Sequence, residues 1–326
     1  MKIPISWIID DPAPIISVYY EHAGKQYTND GRPLVKTYSN DALFEFCDII
    51  EKWGICGKFS VVPMPGNKGD IVNGLDGVSR EETAQWLSCV KKRVMPAFSV
   101  GPEMLTHHKA VDLSTGASLS MNERDWSREQ NEQTLTPYIA KALSLLKEAG
   151  IRSIGVTSPW DFGLQVEDEY QRAISQAVKR VSGSNDAWFF LRSLANYPNA
   201  KPWVALEEDG RTLVSIPTTV SEDYLWCTID SARTDDAYVS QIADKLITAD
   251  GKNGEILRVL ETGGYPILIT HWQSLMSNGL CTGLRVMDEV GRRVAEHLSD
   301  RVEWMSFEKI LALVLAHKDA YPKPQL

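Results

Sequence analysis

The sequence predicts an α/β fold, a (β/α) barrel of seven or eight strands, on three observations. Short apolar strand-like runs alternate with amphipathic helical segments along most of the chain. Its 326 residues suffice for one large α/β barrel. No linker-like stretch divides the chain, so 1–326 reads as a single domain. A doubly wound open sheet is the competing architecture. No G-x-G-x-x-G follows the first strand and no Walker sequence appears, so a phosphate-cradling nucleotide site is unsupported.

The elements follow in order. Residues 4–9 are the first strand, ending Trp7-Ile8-Ile9. After a long irregular stretch, 40–53 is a helix capped by Asn40 or Asp41, with Leu43, Phe44, Cys47, Ile50 and Trp53 as its apolar stripe. Residues 57–63 are a short strand, and 79–94 a helix whose opening Ser79-Arg80-Glu81-Glu82 is a capping-box pattern. The third strand covers 97–105, and the long helix 132–149 is closed by Gly150. A fourth strand at 153–157 precedes a helix at 166–181, and 188–191 is the fifth strand. The stretch 195–222 breaks the rhythm, with 204–206 and 213–216 reading as a hairpin inserted in a loop. The sixth strand is placed at 225–229, helical material at 234–262, and the seventh strand at 266–270. A helix at 283–298, a short eighth strand at 302–305 and a last helix at 306–317 complete the order.

Hydrophobic content of 43% and charged content of 24% are those of a soluble globular protein. A net charge of −9 argues against nucleic acid or an anionic membrane surface as the main partner. The five cysteines are odd in number and show no Cys-x-x-Cys spacing, so reduced, mostly buried thiols are expected. With no leader-like segment and no apolar run long enough to span a bilayer, a cytoplasmic location is the expectation.

Reacting groups in such barrels gather at the C-terminal ends of the strands. The first strand drives into Asp10 and Asp11, and two carboxylates at the end of a buried strand are costly unless a cation or hydrogen bonds receive them. Strand alternation sends them to opposite sides, which suggests two different roles. The third strand leads to Glu103, Thr106-His107-His108 and Asp112; the fourth to Ser158-Pro159-Trp160-Asp161; the seventh to His271-Trp272. Carboxylates and imidazoles converging there are the ingredients of a metal site with an acid–base pair. Read singly, each has a structural explanation: an Asp-Pro turn, a helix cap, a core histidine, a packing tryptophan. His22, His297 and His317 receive no role.

Ile8-Ile9-Asp10-Asp11-Pro12, Glu103-Met104-Leu105-Thr106-His107, Ser158–Gly163 and Leu268-Ile269-Thr270-His271 resemble, in order, motifs of the metal-dependent polysaccharide deacetylases and the wider glycoside hydrolase/deacetylase superfamily. The resemblance implies a distorted seven-stranded β/α barrel, a carbohydrate substrate and a divalent metal, zinc foremost. It implies Asp10 as base, His271 as acid, and Asp11 and His107 as metal ligands, with Asp112 or His108 as the third. Glu103, His108, Trp160 and Asp161 would face substrate. Three positions depart from the family pattern: Val111 where a second ligand histidine is usual, Ser158 near the place of an arginine, and Pro12 in place of glycine. Two other readings stay open, a metal-independent glycosidase using paired carboxylates and a non-catalytic carbohydrate-binding barrel.

Overall fold

The computed structural model describes residues 2–220 and 222–324. Its parallel strands are β1 (Ile3–Asp10), β2 (Gly57–Val61), β3 (Phe98–Pro102), β4 (Gly155–Thr157), β5 (Asp186–Phe190), β6 (Arg211–Ser215), β7 (Ile267–His271) and β8 (Val302–Trp304). β1 is apolar and buried along nearly its whole length, as a strand covered on both faces must be. It pairs in parallel with β2 on one side and β7 on the other, and its first residues also pair with the short β8.

Two parallel sheets result. The first runs β7-β1-β2-β3; in the second, β5 lies between β4 and β6, and β6 pairs antiparallel with Trp203–Glu208. Their edges meet at two seams. Glu103, one residue past β3, bridges to Thr157, the last residue of β4. On the far side, past β6, Thr219 N–H donates to the Ile267 carbonyl at 3.2 Å, and Ile267 N–H donates to Thr219 Oγ1 at 3.0 Å.

Helices cover the sheets as their apolar stripes dictate. Helix Asn40–Trp53 buries Leu43, Phe46, Cys47 and Ile50 and ends on Gly54 in the left-handed region. The capping box at Ser79 and Glu82 is formed, and helix Arg80–Cys89 runs on into a wider turn at Val90–Val94. The helical material predicted at 234–262 is two helices, Asp236–Leu246 and Glu255–Glu261. Among the described residues no helix is long and apolar enough to cross a membrane.

Two expectations are corrected. Residues 225–229 are not a strand: Trp226–Thr228 is a single 3₁₀ turn, held in part by the Thr228 hydroxyl bonding to the Leu225 carbonyl. The sixth parallel position belongs to β6, the second arm of the hairpin, which lies in register with β5. The hairpin is therefore part of the sheet rather than an insertion into a loop. Secondly, Asp10 and Asp11 do not point apart, because Asp11 takes a φ of 69° and leaves the strand pleat. Both side chains line one cavity.

The β1–β2 approach leaves no room for a side chain at Gly57, where a Cβ would lie 1.8 Å from the Trp7 carbonyl oxygen. Gly57→Ala should therefore push β2 away from β1 and destabilise the fold by at least about 2 kcal/mol, an overpacking cost. Urea unfolding checks this; an unchanged midpoint would contradict the register described.

Candidate active site

The floor of the site begins with an alternation inside β2. Lys58 and Ser60 lie two apart on the strand and so share a face, and Lys58 has no solvent exposure. Its Nζ donates to Asp10 Oδ1 at 2.5 Å, to Ser60 Oγ at 2.6 Å and to Thr157 Oγ1 at 2.5 Å. All three ammonium hydrogens are thus used, as a buried lysine requires. Ser60 Oγ adds a 3.0 Å bond to the same Asp10 oxygen. Asp10 Oδ1 is committed to this network, and Asp10 itself borders the cavity.

Asp11, Glu103 and His107 form the densest group. All three are buried, and one ligand-capable atom of each lies within 4.8 Å of the others. The Asp11 amide donates to Glu103 Oε2 at 2.8 Å, and Gln273 Nε2 donates to Asp11 Oδ2 at 2.6 Å. His107 Nε2 pairs with Asp11 Oδ1 at 2.9 Å, and no other group reaches that buried oxygen. Burial opposes ionisation of Asp11, yet the charges of His107, His271 and His22 hold its carboxyl far below the usual range. Glu103 goes the other way: burial, then the Asp10 and Asp11 carboxylates, push its carboxyl well above the usual value. Burial disfavours charge on His107, but Asp11 and Glu123 outweigh it and raise the ring above its ordinary value.

The turn that presents His107 is organised by Glu123, a residue the sequence did not single out. Its fully buried carboxylate accepts the amides of Leu105, Thr106 and His107 at 3.1, 2.9 and 2.8 Å, and the Tyr138 hydroxyl at 2.7 Å. These donors hold a turn in which Met104 and His107 have φ of 46° and 50°.

His271 ends β7 and is oriented by Asp223, also unforeseen. Asp223 Oδ2 lies 3.0 Å from His271 Nδ1 and accepts the His271 amide at 3.0 Å and the Ser274 hydroxyl at 2.6 Å. Thr270 Oγ1 donates to the other oxygen at 2.8 Å. Burial disfavours the imidazolium, but the hydrogen bond to Asp223, with the charges of Asp11, Asp223 and Asp10, raises the ring to about 9. The side chain remains 28% exposed, toward the cleft.

These groups surround a cavity of about 220 Å³ that His22, Trp160, Phe190, Trp226 and Ile269 also line. The structure therefore brings together Asp10, Asp11, Glu103, His107, Trp160 and His271. Trp160, 45% exposed with a φ of 52°, sets its ring edge-on to His107 at 4.4 Å.

Three predicted residues fall elsewhere. Asp112 turns into the hairpin between Lys109–Val111 and Ser118–Asn122, where its Oδ1 accepts the Ser114 amide and hydroxyl. His108 follows the left-handed His107 and does not line the cavity. Asp161 faces Arg124 and Arg128 at 3.5 and 3.4 Å. The expected third ligand, Asp112 or His108, is thus corrected, since neither residue borders the cavity; Glu103 stands beside Asp11 and His107 instead.

No protein-family model matches the chain, and no curated protein matches it at a significant level. Among solved structures it is similar to a provisionally named polysaccharide deacetylase from Mycobacterium smegmatis, at 13% identity and a TM-score of 0.50, over 87% of this chain and 82% of that one. It is also similar to a GH57-type branching enzyme from the hyperthermophilic archaeon Pyrococcus horikoshii, at 11% identity and a TM-score of 0.51, over 96% of this chain and 70% of that one. At such identities the likeness is one of fold.

Removing the Glu123 carboxylate strands three backbone donors, each worth about 1–3 kcal/mol when buried unpaired. Glu123→Ala should cost at least about 3 kcal/mol in denaturant unfolding. A loss below 1 kcal/mol, on the order of one ordinary hydrogen bond, would mean the turn is held by something else.

Proposed function

We propose that this chain is a metal-dependent hydrolase that removes an acyl group from a carbohydrate, working at one mouth of a distorted seven-stranded β/α barrel formed by β1 to β7. The observation that carries the reading is the buried Asp11–Glu103–His107 group beside Asp10 and His271 around one cavity. Two buried carboxylates and an imidazole, with Asp11 Oδ1 reached only by the His107 ring, fit a divalent cation. Asp11, His107 and Glu103 would hold it, and zinc suits the mixed oxygen and nitrogen donors. When bound, such an ion supplies Lewis acidity toward an acyl oxygen and acidifies water.

The chain's own groups divide the remaining work. Lys58 and Ser60 hold Asp10 Oδ1, which leaves the second carboxylate oxygen to take a proton from the attacking water. Asp223 occupies His271 Nδ1, so the proton for the departing amine or alkoxide resides on Nε2. Trp160 offers an exposed aromatic face to a sugar ring, and the aromatic walls exclude water from the floor.

A specific observation favours a second reading. Asp11 and Glu103 have carboxyl groups pushed in opposite directions, which is how an acid–base pair is set up, as in a glycosidase. Glycoside cleavage that survives complete removal of metal would select this reading over deacylation.

Metal analysis and deacylation of acetylated amino sugars, with zinc, cobalt or manganese, test the first reading. Asp11→Asn should lose metal and turnover together, whereas Asp10→Asn should keep the metal and lose about 10²–10⁴-fold in kcat. Retention of both metal and hydrolysis in Asp11→Asn would rule the assignment out.

The pH dependence follows from His271. Its protonated form donates, and its value is raised, so kcat should hold through neutral pH and fall as pH rises through about 9. Asp223→Asn removes the largest raising influence and should move that alkaline limb down toward the ordinary 6.5. An alkaline limb unmoved in Asp223→Asn would remove His271 from the acid role.

A further inference from the structure

Helices Asn40–Trp53 and Arg80–Cys89 lie side by side in parallel register, for three contacts between them each join residues 42 positions apart. Near the start of both helices the Asn40 side chain donates to the Glu82 carbonyl at 3.1 Å. At the other end Arg93 lies in the wider turn that continues the second helix. It donates to the two Glu51 carboxylate oxygens at 2.8 and 2.6 Å and to Asp48 at 2.7 Å. Between these ties, Cys47 Sγ meets Cys89 Sγ at 3.6 Å.

Both are free thiols, but their surroundings differ. Cys47 has no solvent exposure, whereas Cys89, 6% exposed, borders a surface cleft of about 300 Å³ together with Lys92 and Arg93. The hydrogen bond to Cys47 and the Arg93 charge outweigh burial and hold the Cys89 thiol below its ordinary value. The same bond, with burial, pushes the Cys47 thiol up. One sulfur thus stands at an entrance flanked by cationic side chains, with the other directly behind it. That is the layout of an attacking and a resolving cysteine.

We propose that Cys47 and Cys89 form a modification site, at which a peroxide oxidises the pair to a disulfide that staples the two helices together. The site is separate from the cavity around Asp11 and does not rest on the metal-dependent reading. In the first step the Cys89 thiolate attacks one peroxide oxygen. An S–O bond forms, the O–O bond breaks, and the departing hydroxide takes up the proton that Cys89 released and leaves as water. Cys47 then attacks the sulfenic sulfur of Cys89. The S–S bond forms, the S–O bond breaks, and hydroxide leaves as a second water with the Cys47 proton. In all, two thiols give up two electrons and two protons, and one hydrogen peroxide becomes two waters. The sulfurs are already in contact, so bond formation asks for side-chain rotation while the flanking ties hold the helices in place. The staple joins positions 42 residues apart, so it restricts the unfolded chain and should strengthen resistance to unfolding.

The test treats the reduced full chain with hydrogen peroxide until the exposed Cys227 is modified, which shows that the oxidant has acted. The protein is then alkylated as it is denatured, and its peptides are mapped by mass spectrometry without reduction. Cys47 and Cys89 should be recovered in one cross-linked peptide pair, and dithiothreitol should return both as thiols. Cys47→Ala should carry sulfenic or sulfinic acid at Cys89 with no cross-link, and Cys89→Ala should leave Cys47 reduced. The urea midpoint of the wild type should rise on oxidation and fall back on reduction, while that of Cys47→Ala should not rise. Recovery of Cys47 and Cys89 as alkylated thiols, or cross-linked to other cysteines, would overturn the proposal. An unmoved midpoint in the cross-linked protein would overturn the stapling role. Both of these outcomes are read on the wild type, so they stand even if a variant does not fold.

Discussion

A lysine without solvent contact, bonded to Asp10, is the constraint around which the site is built. Burying either charge alone would cost several kcal/mol, and the pair is tolerable only because each ammonium hydrogen has an acceptor. Those acceptors come from three strands or their ends: Asp10 on β1, Ser60 on β2 and Thr157 on β4. The ion pair therefore ties the first sheet to the second across the interior. It also ties the close β1–β2 approach at Gly57 to the position of Asp10, since a shift of β2 by one residue would turn Lys58 to the other face.

Above this floor, conformational strain and buried charge are concentrated together. Asp11, Met104, His107 and Trp160 all hold positive φ, a conformation that costs of order 1–3 kcal/mol at a non-glycine residue. Such angles persist only where neighbours over-determine them. Glu123 does so for the turn at 105–107, and the Glu103 side chain, through the Asp11 amide, does so for the end of β1. Asp223 plays the same part for His271. Asp10, Asp11, His107 and His271 are thus each held by a carboxylate or ammonium placed behind them. Rigid placement of this kind is what a catalytic constellation needs, because small errors in position are costly in rate.

The division of carboxylates by environment explains how five of them coexist near one cavity. Asp10 is matched by Lys58, Asp11 by the surrounding imidazoles, Glu123 by backbone donors and a tyrosine, and Asp223 by His271 and two hydroxyls. Glu103 shares the His107 ring with Asp11, at 3.7 Å, and burial beside two other acids raises its carboxyl. It is the group in which a proton or a cation is most favourably accommodated, which is why it belongs with the proposed metal ligands.

Much of the framework was legible from residue order, because apolar periodicity, capping boxes and C-terminal glycines act over a few residues. The alternating strands and helices, the Ser79–Glu82 capping box and the placement of Asp10, Asp11, Glu103, His107 and His271 after their strands are local facts of this kind. The strand expected at 225–229 failed because the same β-rich composition makes a 3₁₀ turn there, once β6 fills the sheet position. Lys58, Glu123, Asp223 and His22 carry no local signature. A lysine in a strand, an acid at the start of a short helix, an aspartate in a loop and a histidine on a five-residue helix each read as ordinary surface until the partner is known. The sequence by itself determined which segments become strands and which chemically active residues stand at their ends. Only the tertiary structure decided which of those residues meet, and which buried charge stands behind each, because those contacts join positions tens to hundreds of residues apart.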